Sequence, residues 1–329
     1  MSSGISITET MSSSPSSSSS SSSIVDVLIV GGSHAGLSAA LTLYRALHTS
    51  IIFDTDKPRN AYATPVRLVS TWEGRAPDDM KEAARRELLA AGLTTFVDAD
   101  VMQIERKAGG SLFEATDGEG RKWLGRKVIL SYGAQDVFPA IPGYEDVYAR
   151  GVYPCMFQFG YELRGSESAG VLAVDGLASP VPATMLTGDG QKFADAMTIY
   201  TNGNRALAED ISTRVAEKKT VSVDDRRIAR LGRVESGRGV LIDFEDGTQR
   251  TEAFLVHRPL TKVDGRIPGQ LGVEMSKMGE IMTTPPFNRT SVGGVYAAGD
   301  CGTPMKTVSN AMTMGSYAAC GISRELTDV

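Results

Sequence analysis

The sequence predicts an α/β fold made of two Rossmann-like dinucleotide-binding units, the first of them discontinuous. Three stretches predict it. A glycine-rich turn, GGSHAG at 31–36, lies between an apolar strand and a helix-periodic run. A second strand and turn, GVYAAGDCGTP at 294–304, returns near the other end of the chain. Between them, GVLAV at 170–174 and AMTIY at 196–200 supply a further pair of apolar strands.

The elements follow in order. Residues 1–23 are serine-rich and low in complexity, with neither the basic start nor the apolar core of a secretory signal. They are expected to form a disordered tail. IVDVLIV at 24–30 is β-branched, nearly continuous and too short for a helix, so it reads as a buried strand. After the turn, Leu37, Ala40, Leu41, Tyr44 and Leu47 recur at helical spacing. SIIFD then forms a second strand ending in Asp54, about 20 residues beyond the turn, which is the spacing of a dinucleotide fingerprint. Gly31 permits the tight turn, Gly36 the close approach of helix and strand, and the helix start offers N–H groups to a pyrophosphate. Ser33 replaces the usual middle glycine, with Gly32 beside it. His34 and Ala35 complete the binding turn, and Asp54 can accept from ribose hydroxyls.

Arg59 and Asn60 open a stretch, 59–74, expected to pass near the cofactor, and Tyr62, Trp72 and Tyr153 are candidate pocket aromatics. DDMKEAARRELLAAG at 78–92 reads as a solvated helix stopped by Gly92. KVILSYGAQDVFPAIPGY at 127–144 is a strand, a turn at Gly133 and a crossover. In the second unit the turn after GVLAV holds only Gly176, Asp175 adds a negative charge, and Pro180 and Pro182 are expected to interrupt the helix start. The following strand ends in Asn202, Gly203 and Asn204, with Arg205 as a lone cation. Residues 230–256 read as a strand meander with an EDGT hairpin turn.

Bulk composition limits the function. The 329 residues carry a net charge of −5 and a pI near 5.4, so no nucleic-acid or anionic-membrane footprint exists. No run of 18 apolar residues occurs, and no membrane span is expected. Three cysteines, none in a CxxC pair, imply neither a disulfide framework nor a metal site, and a reducing, cytoplasmic home is expected.

Taken together, the first turn, the VYAAGD strand, the PAIPGY crossover and the segment 151–162, GVYPCMFQFGYE, resemble the low-molecular-weight thioredoxin reductase group. The stretches GGSHAGLSAALTLYRALHT and KPRNAY are most similar to the branch that contains fungal dithiol oxidases of the gliotoxin type. The resemblance implies FAD as cofactor, with Gly299 and Asp300 at the flavin end and Asp300 holding a ribitol hydroxyl. It implies an FAD domain of 24–148 plus 262–329, around a degenerate NADPH-like unit at 149–261 with its linkers. It also implies a homodimer.

The departures matter most. The family places a CxxC pair where this chain has Cys155 and Gln158, and a proton-relaying residue where it has Phe159. Glutamine cannot shuttle electrons, and phenylalanine cannot move a proton. The second turn lacks the features of a pyridine-nucleotide site. The expected activity is therefore an FAD-dependent oxidase of specialised metabolism, taking a hydride directly from a small-molecule substrate and passing electrons to O2. Two alternatives stand beside it: a thiol oxidase using Cys155 alone, and a non-catalytic FAD-binding partner protein. Cys155, Gln158 and His257 are the candidate catalytic residues, with His257 the candidate base. Cys301 and Lys306 flank the flavin motif, and His48 ends a helix.

Overall fold

The computed structural model describes residues 24–62, 65–234, 237 and 239–327; the expected disordered tail lies outside the described residues. The first sheet begins with β1 (Val25–Val30), followed by α1 (His34–Arg45) and β2 (Ser50–Asp54). A second crossover, α2 (Pro77–Ala91), leads to β3 (Thr94–Asp98). Three further strands, β4 (Val101–Arg106), β5 (Phe113–Asp117) and β6 (Lys122–Leu130), follow, each antiparallel to the next. β1 and β2 are almost continuously apolar because helices cover one face and further chain covers the other. Val27, Leu28, Ile29 and Ile52 have no exposed surface.

The chain leaves this unit through β7 (Gln135–Val137) and α3 (Tyr144–Val147). The second unit contains β8 (Val152–Tyr153), α4 (Met156–Leu163), β9 (Ser166–Leu172), α5 (Pro180–Gly190), β10 (Ala194–Tyr200), α6 (Arg205–Val215) and β11 (Val221–Asp224). A meander follows, β12 (Ile228–Arg233), β13 (Val240–Phe244) and β14 (Gln249–Glu252), and then β15 (Leu255–Val256). The parallel sheet has the order β11-β10-β9-β15-β8, so the strands that enter and leave the unit lie side by side. The EDGT turn joins β13 to β14 as the sequence predicts.

β16 (Leu260–Lys262) then pairs antiparallel with β7, bringing the return path beside the exit path. After α7 (Arg266–Leu271), the short β17 (Val295–Ala297) joins the first sheet by pairing in parallel with β6, and α8 (Val308–Thr327) packs along α1. The first sheet is thus closed by residues from both ends of the chain.

Two sequence expectations change. Pro180 and Pro182 do not interrupt α5; they begin it, at its first and third positions, where no intrahelical N–H bond is needed. Arg205 is not a lone charge, because its Nε lies 3.5 Å from Asp225.

Candidate functional site: a dinucleotide cleft and its flavin end

The glycine turn is built so that side chains cannot enter it. Gly31 has φ +107°, and a Cβ there would lie 2.4 Å from the Ser131 carbonyl oxygen. A Cβ on Gly36 would lie 2.0 Å from the Gly31 oxygen, and one on Gly32 2.6 Å from the Asp54 carboxylate. The Ser131 hydroxyl donates to the Val30 and Gly31 carbonyls, fixing the turn from the neighbouring strand. Ser33 caps α1 in extended backbone without a side-chain cap bond. The Ser33 side chain thus leaves the first-turn N–H groups of α1 uncapped, as an anion at a helix start requires.

Asp54 stands at the end of β2, and a cleft of about 430 Å³ opens beside it, lined by Asp54, Thr55, Asp56, Asp98, Ala99 and Asp100. Its Oδ1 accepts the Asp56 N–H, and its Oδ2 lies 2.8 Å from Lys81 Nζ. Lys81 corrects the reading of α2 as a wholly solvated helix: Lys81 and Arg85, one turn apart, both face Asp54. His34, the first residue of α1, has its pKa lowered by burial and by the charge of Lys81, against an opposing pull from Asp300. Burial thus favours its neutral form, and the two charges that act on it belong to opposite ends of the site.

At the flavin end, Gly299 has φ +78°, and its Cβ position is 3.0 Å from the Ala35 side chain. Gly315 of α8 comes nearer still, with a Cβ position 2.1 Å from the Ala35 oxygen, so these glycines let α8 and the GD turn close on α1. Arg59 donates from Nε to Asp300 Oδ2 at 2.8 Å and from a terminal nitrogen to Asp136 Oδ1 at 3.3 Å. Burial disfavours the Arg59 charge, but the two aspartates outweigh it and hold the guanidinium protonated. The Tyr148 hydroxyl donates to the other Asp136 oxygen. Asn60 is half-buried in the same short turn, and Gly133, at φ +79°, has open space where a side chain would stand.

The segment of greatest interest forms α4. Cys155 is its N-cap, and its carbonyl accepts the Gln158 and Phe159 N–H groups, each at 3.2 Å. Phe159 stacks on Tyr153 with 4.8 Å between ring centres. Glu162 bonds Arg67 at 2.6 Å, tying α4 to the loop that follows Tyr62. Cys155, Cys301 and Cys320 are all free thiols. Cys301 is wholly buried, donates to the Leu130 carbonyl, and has its pKa pushed up to about 12 by that burial. Lys306 is half-buried: it lies 3.3 Å from Glu280 and donates to the Thr303 carbonyl.

His257 lies elsewhere, wholly buried in the second unit. Its Nδ1 is 2.6 Å from the Tyr144 hydroxyl, and burial lowers its pKa to about 4. It has no exposed face with which to meet a substrate in this conformation. His48, half-buried, lies 2.9 Å from the Ser323 hydroxyl, not at the cleft. Trp72 packs with Val66, Val69 and Met80, while Tyr62 makes edge contacts with Phe138 and Tyr148.

In the second unit, Asp175 takes the left-handed conformation at φ +49° in the turn before α5. Asn202 accepts the Ile228 N–H, and Asn204 caps α6 through the Leu207 N–H. Sequence reasoning missed Lys81, Asp136, Tyr144 and Tyr148. A cation pair at i,i+4 on α2 was the visible signal for the first; no local signal marked the others.

The comparisons agree with this geometry. A family model described as pyridine nucleotide-disulphide oxidoreductase matches residues 25–159. The chain is 40% identical to thioredoxin reductase aclD of Aspergillus oryzae over 305 residues, covering 92% of this chain and 96% of that protein. It is 37% identical to thioredoxin reductase sirT of Leptosphaeria maculans, covering 91% and 94%. Among solved structures, HlmI is similar with a TM-score of 0.84 at 26% identity, covering 93% of each chain. An oxidoreductase from Agrobacterium tumefaciens is similar with a TM-score of 0.82 at 27% identity, covering 93% of this chain and 99% of that one.

Proposed function

Because the chain belongs to the thioredoxin reductase-like family of FAD-dependent oxidoreductases, we propose that it is an oxidase that removes a hydride and a proton directly from a small metabolite and passes the electron pair to O2. The reduced substrate and O2 become the oxidised substrate and H2O2. The FAD fit rests on the glycine cradle, the open start of α1 and the carboxylates of Asp54 and Asp300. When bound, FAD supplies the two-electron acceptor. Gly31, Gly32 and Gly36 would admit the pyrophosphate, the α1 N–H groups would bind it, and Asp54 would accept from the ribose. Asp300, held by Arg59 through Oδ2, keeps Oδ1 for a ribitol hydroxyl.

One observation carries the oxidase reading: at the α4 start, Cys155 has Gln158 one turn away in place of a second sulfur. A disulfide relay needs two. The second unit supports the same conclusion. Pro180 and Pro182 remove two of the N–H groups with which α5 would bind a nicotinamide dinucleotide, and Asp175 adds a negative charge to the turn before it. Gln158 and Phe159 then offer one polar pointer and one apolar wall.

Anaerobic titration tests the proposal. NADPH should leave the flavin oxidised, while the true substrate bleaches it, and readmitted air should regenerate the spectrum with release of H2O2. Stoichiometric bleaching by NADPH would falsify it. The half-exposed position of Cys155 at a helix start favours one second reading, oxidation of a substrate thiol through that cysteine. That reading requires Cys155→Ser to abolish turnover and Gln158→Ala to preserve it.

A further inference from the structure

The adenosine end of the cleft has a charge problem that the glycine turn does not solve. Four carboxylates, Asp54, Asp56, Asp98 and Asp100, line it, and a dinucleotide brings two more negative charges. The start of α1 offers only about half a positive charge. Lys81 stands at this point. Its ammonium lies 2.8 Å from Asp54 and 2.6 Å from Asp56, and its side chain is 16% exposed. The Asp54 carboxylate in turn occupies the space beside Gly32 in the phosphate turn. The ammonium is thus one carboxylate away from the backbone that receives the pyrophosphate.

The folding chain gains little from this arrangement. Fixing a lysine between two aspartates costs rotamer freedom, its bond to the exposed Asp56 adds almost nothing to stability, and its partly buried bond to Asp54 must first offset the desolvation of both charges. Arg85 approaches the same Asp54 oxygen at 3.7 Å but is committed to the Phe96 ring, with its guanidinium 4.2 Å above it. On the same helix, Glu82, Arg86 and Glu87 point to solvent.

We propose that Lys81 is a cofactor-affinity residue: it holds Asp54 against the glycine turn for the ribose and supplies the positive charge that the phosphates of FAD need there. This depends on FAD binding alone, so it stands or falls separately from the oxidase reading. The test is flavin release from the holoprotein, followed by the fluorescence of freed FAD on dilution, across a series of KCl concentrations. Lys81→Met should raise the FAD dissociation constant at least about tenfold at low salt, the scale of one charge-assisted hydrogen bond. The deficit should shrink as KCl rises, because salt screens the repulsion that the ammonium otherwise offsets. Lys81→Arg should stay within about threefold of the native protein, since it keeps the charge. Circular dichroism and thermal unfolding of the flavin-free variants verify that they fold, and Lys81→Gln provides a second neutral variant. Retention of FAD within about threefold by both neutral variants would overturn the proposal. So would a loss of affinity with the native salt dependence, which would mean that Lys81 acts by packing rather than by charge.

Discussion

Replacing His257 with glutamine should flatten the acid side of the stability curve. The imidazole is 0% exposed, and burial lowers its pKa from 6.5 to about 4, opposed only by the Val174 carbonyl. The same burial raises the Tyr144 pKa, so the tyrosine keeps its proton, and its hydroxyl shares a 2.6 Å hydrogen bond with Nδ1 of the neutral ring. Above pH 6.5 the histidine is neutral in both the folded and unfolded chain and contributes no pH dependence. Below 6.5 the unfolded chain takes up a proton that the folded protein refuses until about pH 4. Stability therefore falls with falling pH, by up to about 1.4 kcal/mol per pH unit, for a total of about 3 kcal/mol. Glutamine adds a constant offset of about 1–3 kcal/mol from the disturbed Tyr144 bond, which does not change with pH. Urea unfolding of both proteins, followed by tryptophan fluorescence between pH 7.5 and 4.5, isolates the slope. The native protein should lose about 2.5 kcal/mol more than the variant over that interval. Curves parallel to within about 0.5 kcal/mol would refute the assignment of a buried neutral histidine.

Three other outcomes follow from the geometry. Gly36→Val should yield folded protein without flavin, seen as a lost absorbance near the flavin band, because its Cβ would sit 2.0 Å from the Gly31 oxygen. Arg59→Met should destabilise the protein by about 3–5 kcal/mol in denaturant titrations, since Asp136 and Asp300 lose their shared cation in a partly buried site; Arg59→Lys should recover part of that loss. In thiol labelling of the native protein, exposed Cys320 should react first and buried Cys301 only after unfolding, as its thiol pKa near 12 leaves almost no thiolate at pH 8.

Local signals made much of this molecule legible. Gly31, Gly36 and Asp54 lie within one βαβ unit, and their spacing reports a backbone geometry that few other residues tolerate. Asp300 follows a short apolar strand in the same way. The network around them had no such signature. Arg59, Asp136 and Asp300 are joined only when β7 and β17 reach the same end of the first sheet, and sequence distance conceals that. Lys81 was hidden for another reason: a helix rich in both charge signs looks solvated unless one knows what its inner face meets. The prolines of α5 were misread because a proline that breaks a helix interior is well suited to its first turn. That last correction separates folding from binding. The second unit keeps a close-packed parallel sheet, with Val171, Leu172, Ile199 and Tyr200 fully buried, while the helix start beside it has lost N–H donors. Apolar strands are required for the unit to stand at all, whereas the donors matter only to a ligand. On the proposed oxidase reading, a unit that keeps the first without the second serves by its shape: it carries α4, with Cys155, Gln158 and Phe159, and Glu162 of that helix is bonded to Arg67 of the first unit.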